Sequence, residues 1–147
     1  MRLFGIGLAV LLLATAGASA QMNTPDLKWG PAPPVFAKGA QMAVLSGDPS
    51  KSGVFVIRLK VPAGYKVAAH HHPTDEYVTI IKGDMSLGMG DKLEMTKGAS
   101  LKVGGFAMAP ANMNHYAWSK HGAVVQVSAE GPFVMVYVNP ADDPTKH

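Results

Sequence analysis

The feature that most limits this chain is how soon each apolar run is broken by a turn. Val54 to Val61 alternates, with Phe55, Ile57, Leu59 and Val61 on one face and Arg58 and Lys60 on the other. That is the period of a half-buried strand. Further runs with β character are Tyr77–Ile81, Met85–Met89, Phe106–Ala109, His115–Ser119, Ala123–Ala129 and Phe133–Val138. Turn chemistry separates them: Gly47-Asp48-Pro49, Pro62-Ala63-Gly64, Lys82-Gly83-Asp84, the stretch from Gly88 to Asp91, Gly104-Gly105 and Gly131-Pro132. No segment sustains a helical apolar period. The reading is all-β, a sandwich or small barrel of about six to ten strands.

The chain divides into four stretches. Residues 1–20 open Met1-Arg2, run apolar from Leu3 to Leu13 and reach Ala18-Ser19-Ala20. A basic start, a short apolar core and small residues at the end are expected of a secretory signal peptide cut after Ala20. The mature protein would then be periplasmic or secreted and not membrane-bound. Residues 21–40 form a Pro/Gly-rich arm, read as extended because Pro31, Pro33 and Pro34 fix φ and remove donors. Trp29 and Phe36 argue that it docks on its own domain or on a partner subunit. The barrel occupies residues 41–139, and residues 140–147 read as a polar tail. The formal charge is +3, with no basic block, so no nucleic-acid footprint is present. The absence of cysteine excludes thiolate metal sites and a cysteine nucleophile. No GxSxG elbow, GxxxxGK[ST] loop or GxGxxG turn appears, so serine hydrolysis and phosphoryl transfer have no support.

Three of the six histidines are consecutive. On a strand His70 and His72 point to one face and His71 to the other. Pro73 ends the regular strand, and Glu76 follows a turn that can return it to the side of His70 and His72. His115 stands at the start of a later strand. Three imidazoles and a carboxylate form a nitrogen and oxygen set suited to Fe, Mn, Ni, Cu or Zn. A histidine run by itself is more often a solvated surface, so the run leaves both readings open.

The surrounding spacing resembles the cupin superfamily. Gly64, five residues, His70, one, His72, three, Glu76, six, Gly83 reproduces the first cupin motif. Gly104, five residues, Pro110, one, Asn112, two, His115 follows the second, with Asn112 where the family usually has Gly and Ser119 where it often has Asn. The resemblance implies a jelly-roll β-barrel holding one divalent transition metal, iron first, on His70, His72, Glu76 and His115. It further implies a small homodimer and an oxygenase acting on a small enolisable compound, with Glu76 as fourth ligand or as base. A non-redox isomerase or lyase, and a periplasmic binding protein without turnover, are the alternatives. Gly64 and Gly83 are expected in turns that gather the ligand strands, Gly83 closing a hairpin with Asp84. Barrel alternation puts Val78, Ile80 and Ala117 inward, with Tyr116 and Trp118 facing elsewhere.

The remaining features carry weaker expectations. Met85, Met89, Met95, Met108 and Met113 read as packing, with Met108 or Met113 lining the cavity. Tyr65, Tyr77 and Tyr116 are candidate proton donors, though a strand tyrosine is more often packing. Asp75 either orients a histidine or caps its own backbone. His121, at a hairpin tip, is expected to be solvated.

Overall fold

The computed structural model describes residues 21–146. The expected signal peptide, residues 1–20, lies outside the described residues. Eleven strands follow in order: β1 (Gly30–Pro31), β2 (Gln41–Ser46), β3 (Gly53–Val61), β4 (Lys66–His71), β5 (Glu76–Gly83), β6 (Met85–Met89), β7 (Ala99–Leu101), β8 (Phe106–Ala109), β9 (His115–Trp118), β10 (Ala123–Gly131) and β11 (Val136–Tyr137). They form two antiparallel sheets, ordered β1-β2-β3-β10-β5-β8 and β11-β4-β9-β6-β7. This is the jelly-roll architecture expected. The count exceeds the expected range because β1 and β11 are two-residue pairings at sheet edges. Among the described residues no helix is long and apolar enough to cross a membrane.

The first sheet is built around β3 and β10, which pair from Gly53↔Gly131 to Val61↔Ala123. The alternation read in β3 is realised: Phe55 and Ile57 are fully buried, and Leu59 and Val61 nearly so. Val125 and Val127 on β10 and Val78 and Ile80 on β5 complete this inner face. Each such side chain contributes about 1.5–3 kcal/mol by leaving water.

Two local expectations are corrected, and a third is refined. Gly83 does not close a hairpin with Asp84. Strands β5 and β6 belong to different sheets, and Gly83 is the crossover between them. It has φ +76, and a Cβ there would overlap the Gly122 carbonyl. The strand read over Phe133–Val138 shrinks to Val136–Tyr137. The preceding residues leave the ladder, Phe133 N–H donating to the Pro49 carbonyl (2.7 Å). Tyr116 faces away from the cavity as expected, yet it is buried, packed against Gly88 and stacked at 6.0 Å on Trp118.

The arm docks on its own domain. Strand β1 pairs with β2, Phe36 joins the core, and the Lys60 ammonium sits 4.7 Å above the Trp29 ring.

Candidate metal centre

The site spans both sheets. His70 lies on β4 and His115 opens β9, and the two are direct cross-strand partners. His72 follows the end of β4, and Glu76 opens β5 in the opposite sheet. The Asn112 N–H donates to the His72 carbonyl (2.7 Å), and the Met113 N–H closes a turn on the Pro110 carbonyl (3.1 Å). Asn112 itself adopts φ +59, the left-handed backbone that asparagine tolerates best among residues with a side chain. That turn delivers His115 to the end of the barrel where His70 and His72 already sit.

One ring nitrogen from each of His70, His72 and His115 lies within 4.8 Å of the other two. The opposite nitrogen of every ring is committed. His70 Nδ1 is 2.7 Å from the Ala68 carbonyl, His72 Nδ1 is 2.7 Å from the Val134 carbonyl, and His115 Nδ1 is 3.0 Å from the Met113 carbonyl. A carbonyl only accepts, so each Nδ1 carries a proton and donates it. In the neutral ring, Nε2 is then left with a lone pair. His72 Nε2 and His115 Nε2 are buried without a hydrogen-bond partner. The Glu76 carboxylate stands beside them, Oε1 at 3.6 Å from His72 Nε2 and Oε2 at 3.5 Å from His115 Nε2. These are ion-pair distances, longer than hydrogen bonds. Buried lone pairs and an anion gathered without a donor are the environment a cation satisfies. The His70-His72-His115 cluster can hold a metal ion, and the donor set fits a divalent transition metal.

The electrostatics of His70 and Glu76 agree, while that of His72 runs the other way. Burial, reinforced by neighbouring His115, lowers the His70 pKa to about 3, which keeps its ring neutral. Burial pushes the other way on Glu76, but His115 and His72 outweigh it and hold its carboxyl well below the usual range. For His72, burial lowers the pKa and the Glu76 carboxylate more than restores it, so the net direction is up.

The cavity above the cluster is small, about 60 Å³. Its polar wall consists of the three histidines and Glu76. The rest is apolar, including Leu59, Val78, Val127, Phe133 and Met135. A few polar groups converging in an apolar pocket is the usual form of a small-molecule site.

Several sequence candidates lie elsewhere. His71 turns away from the cluster, its Nδ1 2.9 Å from the Asn114 side-chain oxygen. Asp75 neither orients a histidine nor caps its own backbone. It accepts from the Ala111 N–H (2.8 Å) and so ties β5's entry to the loop before His115. No tyrosine lines the cavity. Tyr65 spends its hydroxyl on the Ala37 carbonyl, Tyr77 is exposed, and Tyr116 packs outside. Met108 and Met113 are exposed, and the methionines that line the cavity are Met85 and Met135. His121 is exposed as expected, with its Nδ1 2.9 Å from Asp84 Oδ1. Phe36, Phe133 and Met135 were missed as pocket residues. The aromatic in an otherwise Pro-rich arm was the one signal for Phe36.

The model of the family described as a domain of unknown function, DUF4437, matches residues 19–136. No curated protein matches the chain. Among solved structures, the polyketide cyclase RemF from Streptomyces resistomycificus is similar, with a TM-score of 0.72 at 16% identity, covering 88% of this chain and 92% of its own. A candidate acetylacetone dioxygenase from Methylibium petroleiphilum PM1 has a TM-score of 0.67 at 21% identity, covering 90% of both chains. KdgF from Halomonas sp. has a TM-score of 0.59 at 17% identity, covering 78% of this chain and 96% of its own. At these identities the likeness speaks for the fold, which these neighbours share with other solved cupins. The chain belongs to the DUF4437 family, and its fold is that of the cupins.

Proposed function

We propose that this chain is a mononuclear-metal oxygenase acting on a small, enolisable organic compound. The observation that carries the reading is the convergence of three buried imidazoles, each committed through Nδ1 to a backbone carbonyl, at the polar end of an apolar cavity. His70, His72 and His115 would hold the metal, iron first, with Mn, Ni, Cu or Zn as alternatives. When bound, such an ion stabilises a substrate enolate oxygen as a Lewis acid, and a redox-active ion also admits oxygen chemistry. Glu76 either joins the ligand set or takes the substrate proton. Among the described residues lining the cavity it is the one titratable group besides the histidines, so it is the candidate base. The apolar walls orient the rest of the substrate and keep water from the reacting carbon. Likeness to the candidate acetylacetone dioxygenase supports this choice.

A second reading keeps the same site and removes oxygen: an isomerase or lyase using the metal only as a Lewis acid. The higher TM-score to a polyketide cyclase favours it. Metal analysis of the purified protein, followed by oxygen uptake with 1,3-dicarbonyl compounds, separates the two. About one redox-active ion per chain with substrate-dependent uptake supports the oxygenase. One ion per chain with substrate turnover but no uptake refutes it in favour of the second. We also propose export, checked by an N-terminus at Gln21 in material recovered from outside the cytoplasm.

A further inference from the structure

We infer that Phe36, carried by the N-terminal arm, is a specificity-determining residue of the metal-site pocket. The inference rests on the metal-site reading above. Phe36 is 34 residues or more from every candidate ligand, the nearest in sequence being His70, yet its ring lines the cavity that holds them.

The arm builds a closed loop for this purpose. The Ala32 N–H donates to the Ala40 carbonyl (3.0 Å) and shuts the base, and the Phe36 N–H donates to the Pro33 carbonyl (2.9 Å) and tightens the tip. Pro33 and Pro34 stiffen the ascent. Two tyrosines then latch the tip on either side of Phe36. The Tyr137 hydroxyl donates to the Val35 carbonyl (2.8 Å), and the Tyr65 hydroxyl donates to the Ala37 carbonyl (2.7 Å). Burial pushes both phenols up to about 12, so both remain donors at any working pH.

The latched ring touches the site through aromatic contacts. Phe36 stacks on Phe133 with centroids 5.9 Å apart and planes 5° from parallel. Phe133 in turn lies 4.9 Å from the His72 ring, and Tyr137, which holds Val35, lies 5.8 Å from the His70 ring. A phenyl ring held from both sides in a small cavity sets how much substrate can sit beside the metal. A mere core filler would affect stability and leave ligand preference alone.

The test uses the full chain loaded with Co²⁺, whose visible bands report changes at the metal. Co²⁺ binding by the unaltered protein is measured first and tests the metal reading by itself. Pentane-2,4-dione and 1-phenylbutane-1,3-dione are then titrated into the unaltered protein and into Phe36→Ala. The expected result is an affinity ratio shifted about tenfold toward the phenyl compound, the discrimination typical of a changed apolar pocket. Co²⁺ affinity should stay within about threefold, because no ligand is removed. Should Phe36→Ala fail to fold, Phe36→Leu and the double change Tyr65→Phe with Tyr137→Phe should shift the ratio in the same direction by about threefold. An unchanged ratio in folded, Co²⁺-loaded variants would overturn the inference.

Discussion

Replacing Gly88 with alanine should loosen the strand that carries His115. Gly88 on β6 faces Tyr116 on β9, one residue along from the Met89↔His115 pair. A Cβ on Gly88 would stand 2.5 Å from the Tyr116 Cε2 and hydroxyl oxygen. Ordinary contact is about 3.5 Å, so something must move by about 1 Å. The Tyr116 ring has nowhere to go, being 1% exposed and stacked on Trp118. Overpacking of this kind costs about 1–3 kcal/mol. Alanine recovers about 0.5–1 kcal/mol of the backbone entropy that glycine loses in a strand. The net expectation is a loss of about 1–2 kcal/mol, or a urea midpoint lower by about 0.5–1 M at a slope of about 2 kcal/mol/M. Metal affinity should fall about tenfold, as when a group that positions a ligand is disturbed. Gly30→Ala is the control, since Gly30 has open space around its Cβ position and no positive φ. If Gly88→Ala matches Gly30→Ala in urea midpoint and in metal affinity, the tight packing of Tyr116 plays no part in holding His115.

Three further outcomes follow from the site and its turns. His70→Ala, His72→Ala and His115→Ala should each lose the metal on dialysis while His71→Ala retains it, read by elemental analysis; equal behaviour of all four would refute the assignment of faces. In metal-stripped protein, His70 is held at about 3 against an unfolded value of about 6.5, so the unfolded chain takes up the proton first and stability falls as pH drops through that window. About 2 kcal/mol should be lost by pH 5. His72 works with the opposite sign, so urea titrations of wild type against His70→Gln isolate the effect, and identical pH slopes would refute it. Asn112→Gly should leave stability unchanged while Asn112→Val costs about 1–2 kcal/mol, because φ is +59 there and a β-branched side chain resists it.

What the sequence disclosed of the fold was its strongly patterned part. Strand β3 could be read residue by residue because one of its faces is buried and the other is not. Strands β6 and β8 matched their expected bounds, because Gly and Pro punctuate both ends. The failures share a cause: pairing between distant segments. Ala99–Leu101 has no pattern of its own and becomes a strand by lying against β6. Phe133 and Met135 look like strand residues, yet their side chains are drawn into the cavity instead. Gly83 carries the turn chemistry of a hairpin, but local chemistry cannot say that the chain changes sheets there.

The candidate site divides along the same line. The four residues implied by the cupin resemblance meet at one end of the barrel, His70 and His115 as cross-strand partners and Glu76 from the opposite sheet. The resemblance pointed to them, and the fold accounts for it: alternation fixes which side chains face inward, and the turns at Gly64 and Asn112 fix where the strands begin. What holds the rings in place was not legible. Asp75 was a reasonable partner for a histidine, since a carboxylate often accepts the second ring proton. In this chain backbone carbonyls take that role at Ala68, Val134 and Met113. A carbonyl belongs to every residue type, so no side chain in the sequence marks it. The tautomer of each imidazole, and hence the direction of its free lone pair, is therefore set by strand register and loop path. It follows that metal affinity should respond to packing changes that move these backbone segments, as at Gly88, even though no ligand is removed.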